Sequence, residues 1–189
     1  MDRDQLGAAL REHAFLEGDF VLRSGRRSRY YLDKYLFETR PELLGPLGEL
    51  IAGTVREHEP HAARLAGPEL GAVALTASAS LASGLPFLIV RKEAKGYATA
   101  KRLEGAFEEG ERVCLVEDIV TSAGAALDAV EALRSAGLEV ATAVCVVDRE
   151  EGGAEALAGK GVRLQALFRA SGLLPEAQNR MVEPKAEPC

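Results

Sequence analysis

Apolar residues recur at helical spacing in "DRDQLGAALREHAFL", where Leu6, Ala9 and Leu10 share one face. That spacing predicts an amphipathic first helix. "DFVLRSGRRSRYYLDKYLF" has no such period and reads as two short strands around a Ser-Gly turn. A helix returns in "RPELLGPLGELIAGTVREHE", with Pro41 in its first turn. Pro46 and the internal glycines interrupt that pattern.

From about residue 64 the pattern changes. Runs of near-continuous Val, Leu and Ile ("RLAG", "PFLIV", "RVCLVED", "LEVATAVCVVDRE", "VRLQALF") alternate with small-residue helical stretches ("PELGAVALTASASLASG", "AALDAVEALRSAG", "GAEALAGKG"). Strands that are apolar on both sides, alternating with helices, predict βαβ units. The expected fold is therefore α/β: a central parallel sheet with helices on both faces, preceded by a small helix-hairpin hood. One domain is expected over 1–179, with hood elements at 1–40 and the core at 41–170. A charged, glycine-containing stretch fills 91–111. Gly137 stands where a helix should stop. The tail, 180–189, has two prolines and few large apolar residues, and is expected to be disordered.

Composition narrows the functional classes. The chain has 189 residues, 47% of them hydrophobic, and a net charge of −6. An acidic balance argues against nucleic acid as a partner, since polyanion binding needs a positive field. The three cysteines, Cys114, Cys145 and Cys189, fit no zinc or CxxC spacing, and the first two lie in apolar runs that predict core positions. The N-terminus is polar and acidic, unlike a signal peptide. The apolar runs are too short to span a bilayer. A cytoplasmic location and no membrane partner are the expectation.

The chemistry concentrates in "VCLVEDIVTSAGAAL", 113–127. Glu117 and Asp118 end an apolar run, where burying two carboxylates is costly unless they find partners. A strand–turn–helix in which Asp118 or Thr121 merely caps the helix would account for one acid. Two acids followed by Thr-Ser-Ala-Gly suggest a ligand instead. The N–H groups at a helix start suit a phosphate, and small residues let it approach the backbone. Carboxylates beside that cradle can accept hydrogen bonds from sugar hydroxyls. A phosphorylated ribose carries both groups. No Gly-Lys-Ser/Thr loop and no GxGxxG fingerprint is present.

This stretch resembles the phosphoribosyl pyrophosphate (PRPP) signature of the type I phosphoribosyltransferases. "LRSGRRSRYYLD" (22–33) and "VRKEAKGYATAKRLEG" (90–105) resemble the substrate hairpin and mobile loop of the orotate phosphoribosyltransferase family. "AGPELGAVAL" (66–75) is similar to its pyrophosphate-side loop, and "DREEGG" (148–153) to its base-contacting strand end. The resemblance implies transfer of phosphoribose from PRPP to orotate, giving orotidine 5′-monophosphate and pyrophosphate, with Mg²⁺ held mainly through PRPP. It implies catalytic roles for Lys95, Arg91 and Asp118. PRPP would be bound by Arg91, Lys92, Lys95 and Tyr97 from the loop. From the signature it would meet Glu117, Asp118, Ile119, Val120, Thr121, Ser122, Ala123, Gly124 and Ala125. Orotate would meet Arg23, Tyr31, Leu32, Thr121 and Arg149. No residue is expected to act as a dedicated metal ligand. A homodimer with shared active sites is implied, Lys95 serving the partner subunit's site.

The chain departs from the family pattern in places. Tyr97 stands where His is common, and Ala98 where Gly is usual. Ala123 replaces a usual glycine in the cradle, and must keep a negative φ or tolerate strain. Gly71 stands where some relatives carry Lys, which would leave the site one cation short. Arg23 stands where several relatives carry Lys, and Leu32 follows Tyr31 where two aromatics can occur. Two alternatives remain on these residues: a phosphoribosyltransferase for another base such as a purine, and a non-catalytic PRPP-binding regulator. The run Arg91-Lys92-Glu93-Ala94-Lys95 argues against the regulator, because a pure binder has no leaving group to stabilise.

Overall fold

The computed structural model describes residues 1–21, 27–93 and 102–173. The first helix, α1 (Arg3–Ala14), starts at a capping box in which Asp2 accepts from the Gln5 N–H at 2.8 Å and Gln5 Oε1 accepts from the Asp2 N–H at 3.1 Å. Its buried side is Leu6, Leu10 and Ala14. β1 (Phe15–Val21) and β2 (Arg27–Leu32) pair antiparallel as the expected hairpin. The chain after Leu32 does not remain extended: Asp33 accepts the Tyr35 N–H at 3.1 Å and starts a one-turn helix, α2 (Tyr35–Glu38). The hood is not separate from the body. Leu6, Leu10, Leu32 and Phe37 share one buried cluster with Leu43, Leu47 and Ile51 of the next helix.

That helix, α3 (Pro41–His58), runs unbroken through Pro46. The glycine at 48 is a contact surface rather than a breaker. A Cβ there would lie 2.1 Å from Ser78 Oγ on the facing helix, and Ser78 donates to the Leu44 carbonyl at 2.9 Å.

The remaining elements are β3 (Arg64–Pro68), α4 (Gly71–Ser83), β4 (Phe87–Val90), β5 (Leu103–Glu104) and β6 (Arg112–Val120). They continue through α5 (Gly124–Ser135), β7 (Glu139–Asp148), α6 (Gly153–Ala158), β8 (Arg163–Arg169) and α7 (Ala170–Leu173). The sheet order is β5-β4-β3-β6-β7-β8. All neighbours are parallel except β5, which lies antiparallel on β4. The sheet is therefore mixed at one edge, where a parallel sheet was expected. β5 was hidden in the charged stretch because two residues carry no periodicity.

Alternation along the strands loads both faces. Leu65, Cys114, Val116 and Val144 join the α3–α4 cluster, while Ala66, Val113, Leu115 and Ala143 join the α5 cluster. Cys114 and Cys145 are fully buried, and burial pushes the Cys114 thiol up to about 12. Both are core residues, as their apolar runs implied. No helix among the described residues is long and apolar enough to cross a membrane.

Candidate active site

Strands β3, β6 and β7 end on the same side of the sheet, the side where ligands of open α/β sheets bind. The acidic pair lies there but inside β6, which continues to Val120. Both carboxylates are 5% exposed. Adjacent strand residues face opposite ways, and Asp118 is the one turned to the hood. Its Oδ2 accepts from Lys34 Nζ at 2.5 Å, and its Oδ1 from the Ile119 N–H at 2.5 Å. Burial, reinforced by Asp118 next to it, pushes Glu117 up to about 8. Glu38 on α2 is raised to about 8 for the same two reasons.

After Val120 the chain turns through Thr121, Ser122 and Ala123 into α5. Ala123 has φ 62° and ψ 17°, a left-handed conformation that costs an L-residue roughly 1–2 kcal/mol. Strain is thus accepted where the family usually has glycine. No side chain caps α5, so neither Asp118 nor Thr121 is spent as a cap. Ser122, Gly124 and Ala125 are exposed around that open helix start. Gly153 lets α6 close on the turn: a Cβ there would meet Thr121 O at 2.4 Å.

The pyrophosphate-side segment follows β3. The Glu69–Leu70 peptide bond is cis, and α4 begins at Gly71 without a side-chain cap. The segment is tied to the start of the basic stretch, because Glu69 Oε1 accepts the Lys92 N–H at 2.9 Å. Arg91 donates its N–H to Arg102 O at 2.8 Å and stands 3.9 Å from Glu104. Arg102 is engaged by Arg91 O and by the Asp128 carboxylate. Lys95 and Tyr97 lie outside the described residues, as does Arg23.

On the β7 side, the Arg149 N–H donates to Val120 O at 2.9 Å, which fixes this strand end beside the cradle. Its guanidinium ion-pairs with Glu151 at 3.0 Å and sits 5.6 Å from the centroid of the Tyr30 ring. Tyr31 is exposed and lies against Phe20, the rings tilted by 38° with centroids 5.6 Å apart. Leu32 points into the core cluster. Tyr30, rather than Leu32, is thus the hairpin side chain beside Arg149.

Four buried side-chain atoms lack a hydrogen-bond partner among the described residues: Glu38 Oε1, Arg91 Nε, Glu117 Oε1 and Arg149 Nε. Three of the four belong to residues expected at a substrate site, and Glu38 contacts that group through Asp118. Orphaned buried polar atoms are costly, and their concentration here marks a place built for a polar ligand.

No family model matches the chain. Curated relatives do. The chain is 52% identical over 157 residues to the orotate phosphoribosyltransferase of Methanocella arvoryzae, spanning 83% of this chain and 88% of that protein. It is 48% identical over 172 residues to that of Halobacterium salinarum, spanning 90% and 96%. The chain belongs to the orotate phosphoribosyltransferase family. The crystal structure of the Aeropyrum pernix orotate phosphoribosyltransferase superposes with a TM-score of 0.81 at 33% identity, covering 89% of this chain and 95% of that one. The Mycobacterium tuberculosis orotate phosphoribosyltransferase solved with PRPP gives 0.77 at 29% identity, covering 92% and 99%.

Three residues that the structure brings beside these candidate site residues were not among those expected there: Tyr30, next to Arg149, and Lys34 and Glu38, next to Asp118. Tyr30 was within reach, because the period of two in β2 sets it on one face with Leu32 and opposite Tyr31. Nothing local signals the other two.

The buried acids give the unliganded enzyme a testable pH profile. Glu117 and Glu38 hold protons in the folded state up to about pH 8, but release them near 4.5 when unfolded. The folded state therefore binds more protons between these values, and stability falls as pH rises through that window. Urea unfolding midpoints should drop between pH 5 and pH 8.5. Glu117→Gln should flatten the profile, being more stable than the parent at pH 8.5 and close to it at pH 5. An unchanged slope in the variant would refute the assignment.

Proposed function

We propose that the chain transfers the phosphoribosyl group of PRPP to orotate, forming orotidine 5′-monophosphate and pyrophosphate in de novo pyrimidine (UMP) biosynthesis. The observation that carries this reading is the buried Glu117–Asp118 pair beside the uncapped start of α5, within one strand of Arg149. The 5′-phosphate sits on the Thr121–Ala125 turn, where the first N–H groups of α5 are open to an anion. Ile119 and Val120 carry the backbone into that turn. Glu117 and Asp118 accept from the ribose hydroxyls. Arg91, Lys92, Lys95 and Tyr97 serve the pyrophosphate, which takes the bonding pair as the anomeric C–O bond breaks; the orotate ring nitrogen bonds to that carbon, and its proton passes to the departing pyrophosphate. Positive groups placed where that charge develops stabilise the transition state.

Orotate is an anion with two carbonyls, and the Arg149 guanidinium offers it fitted donors. Arg23, Tyr31, Leu32 and Thr121 complete the base side in this reading, Leu32 through its backbone. Arg149→Ala should raise KM for orotate by roughly 10- to 100-fold, the loss of one charge-assisted pair, while KM for PRPP changes little. Equal effects on both constants would remove Arg149 from the base side.

Mg²⁺ would be held mainly through PRPP's own oxygens, keeping several waters, with no side chain of this chain as a dedicated ligand. When bound, the ion neutralises charge on the leaving pyrophosphate. The enzyme acts as a cytoplasmic homodimer with shared sites.

The test is loss of orotate absorbance with PRPP and Mg²⁺. Turnover of adenine, guanine or hypoxanthine in its place would select a purine enzyme. PRPP binding without turnover of any base would select a regulator.

A further inference from the structure

Lys34 belongs to none of the motifs that carry the family resemblance, yet it holds the central carboxylate. Its Nζ stands 2.5 Å from Asp118 Oδ2. The Asp118 side chain is 7% exposed and that of Lys34 is 32% exposed, so the ammonium forms the open side of the pair. The pair is built against bare backbone. A Cβ on Gly71 would fall 1.8 Å from Asp118 Oδ2 and 2.3 Å from Lys34 Nζ. Gly71 opens α4, whose first turn no side chain caps. Lys34 therefore stands between the carboxylate assigned to ribose hydroxyls and a helix start assigned to pyrophosphate. The cation expected to be missing at position 71 arrives from the residue that precedes α2 instead, and the glycine makes room for it.

We propose that Lys34 is a PRPP-positioning residue, which holds Asp118 in the empty site and turns its ammonium to the pyrophosphate group once ribose hydroxyls occupy Asp118. This rests on the PRPP-transferase reading above. The competing role is a static one, in which Lys34 only neutralises the buried acids Asp118 and Glu38.

Lys34→Met removes the charge and keeps the stem, and Lys34→Arg keeps the charge. Steady-state kinetics on both, with folding checked by circular dichroism, separate the roles. Lys34→Met should raise KM for PRPP by roughly 10- to 100-fold, as expected for one lost charge-assisted contact, with KM for orotate within about twofold. Lys34→Arg should recover most of that loss. An unchanged PRPP KM in Lys34→Met, or equal losses in both variants, would overturn the proposal. Lys34→Gln takes the place of the methionine variant if that does not fold, under the same criterion. If the parent enzyme does not turn over orotate, the functional reading fails by itself. Calorimetric PRPP binding to parent and variant then still decides the role of Lys34.

Discussion

Asp118→Asn should lower kcat/KM for PRPP by roughly 10- to 150-fold, the equivalent of about 1.5–3 kcal/mol for one charge-assisted hydrogen bond. The carboxylate is placed for this role by three constraints. It sits in a strand paired on both sides. Its Oδ1 is held by the Ile119 N–H and its Oδ2 by Lys34. Gly71 leaves no side chain to displace it. An amide keeps the shape but loses the charge that both Lys34 and a ribose hydroxyl would use. Glu117→Gln should fall in the same range at pH 8.5 and lose less at pH 6.5, because burial already keeps much of Glu117 protonated below about 8. The melting temperature of each variant, taken alongside, separates a chemical loss from a folding loss. Wild-type turnover by both variants at sub-saturating PRPP would remove the acidic pair from the site.

Much of this arrangement was legible because its signals are local. The apolar runs from residue 64 onward give the strand–helix alternation, and "VEDIVTSAGA" gives a strand, two acids and an open helix start in one unbroken segment. What escaped depends on distance along the chain. Lys34 meets Asp118 across 84 residues, so no window of sequence contains the pair. Glu38 reaches the same carboxylate only because α2 packs against α3 and α4. α3 was legible as a helix although Pro46 and its glycines weaken the pattern; what sequence alone does not show is that Gly48 is a seat for Ser78 of α4, so the helix is stabilised from outside itself. β5 has two residues and exists through its pairing with β4. Ala123 could be read either as a relaxed substitute for glycine or as a strained one; packing decides for strain, its methyl being buried at 4% exposure against the α5 cluster.

Mixing two inactive variants should restore activity if the sites are shared. Asp118 is contributed by the subunit whose β6 forms the cradle. Lys95 lies outside the described residues, and the family resemblance assigns it to the neighbouring subunit's site. In a two-fold dimer each site then takes Asp118 from one chain and Lys95 from the other. Lys95→Ala and Asp118→Asn should each be nearly inactive alone. After subunit exchange, a mixed dimer has one site with both defects and one with neither, so it should regain about half of a normal dimer's activity. If Lys95 serves its own chain, every site keeps one defect and mixing restores nothing. The same arrangement makes activity depend on assembly: dilution below the dimer's dissociation constant should remove activity and lower the melting temperature together. A monomer by light scattering that stayed fully active would exclude shared sites, whatever the mixing experiment gave.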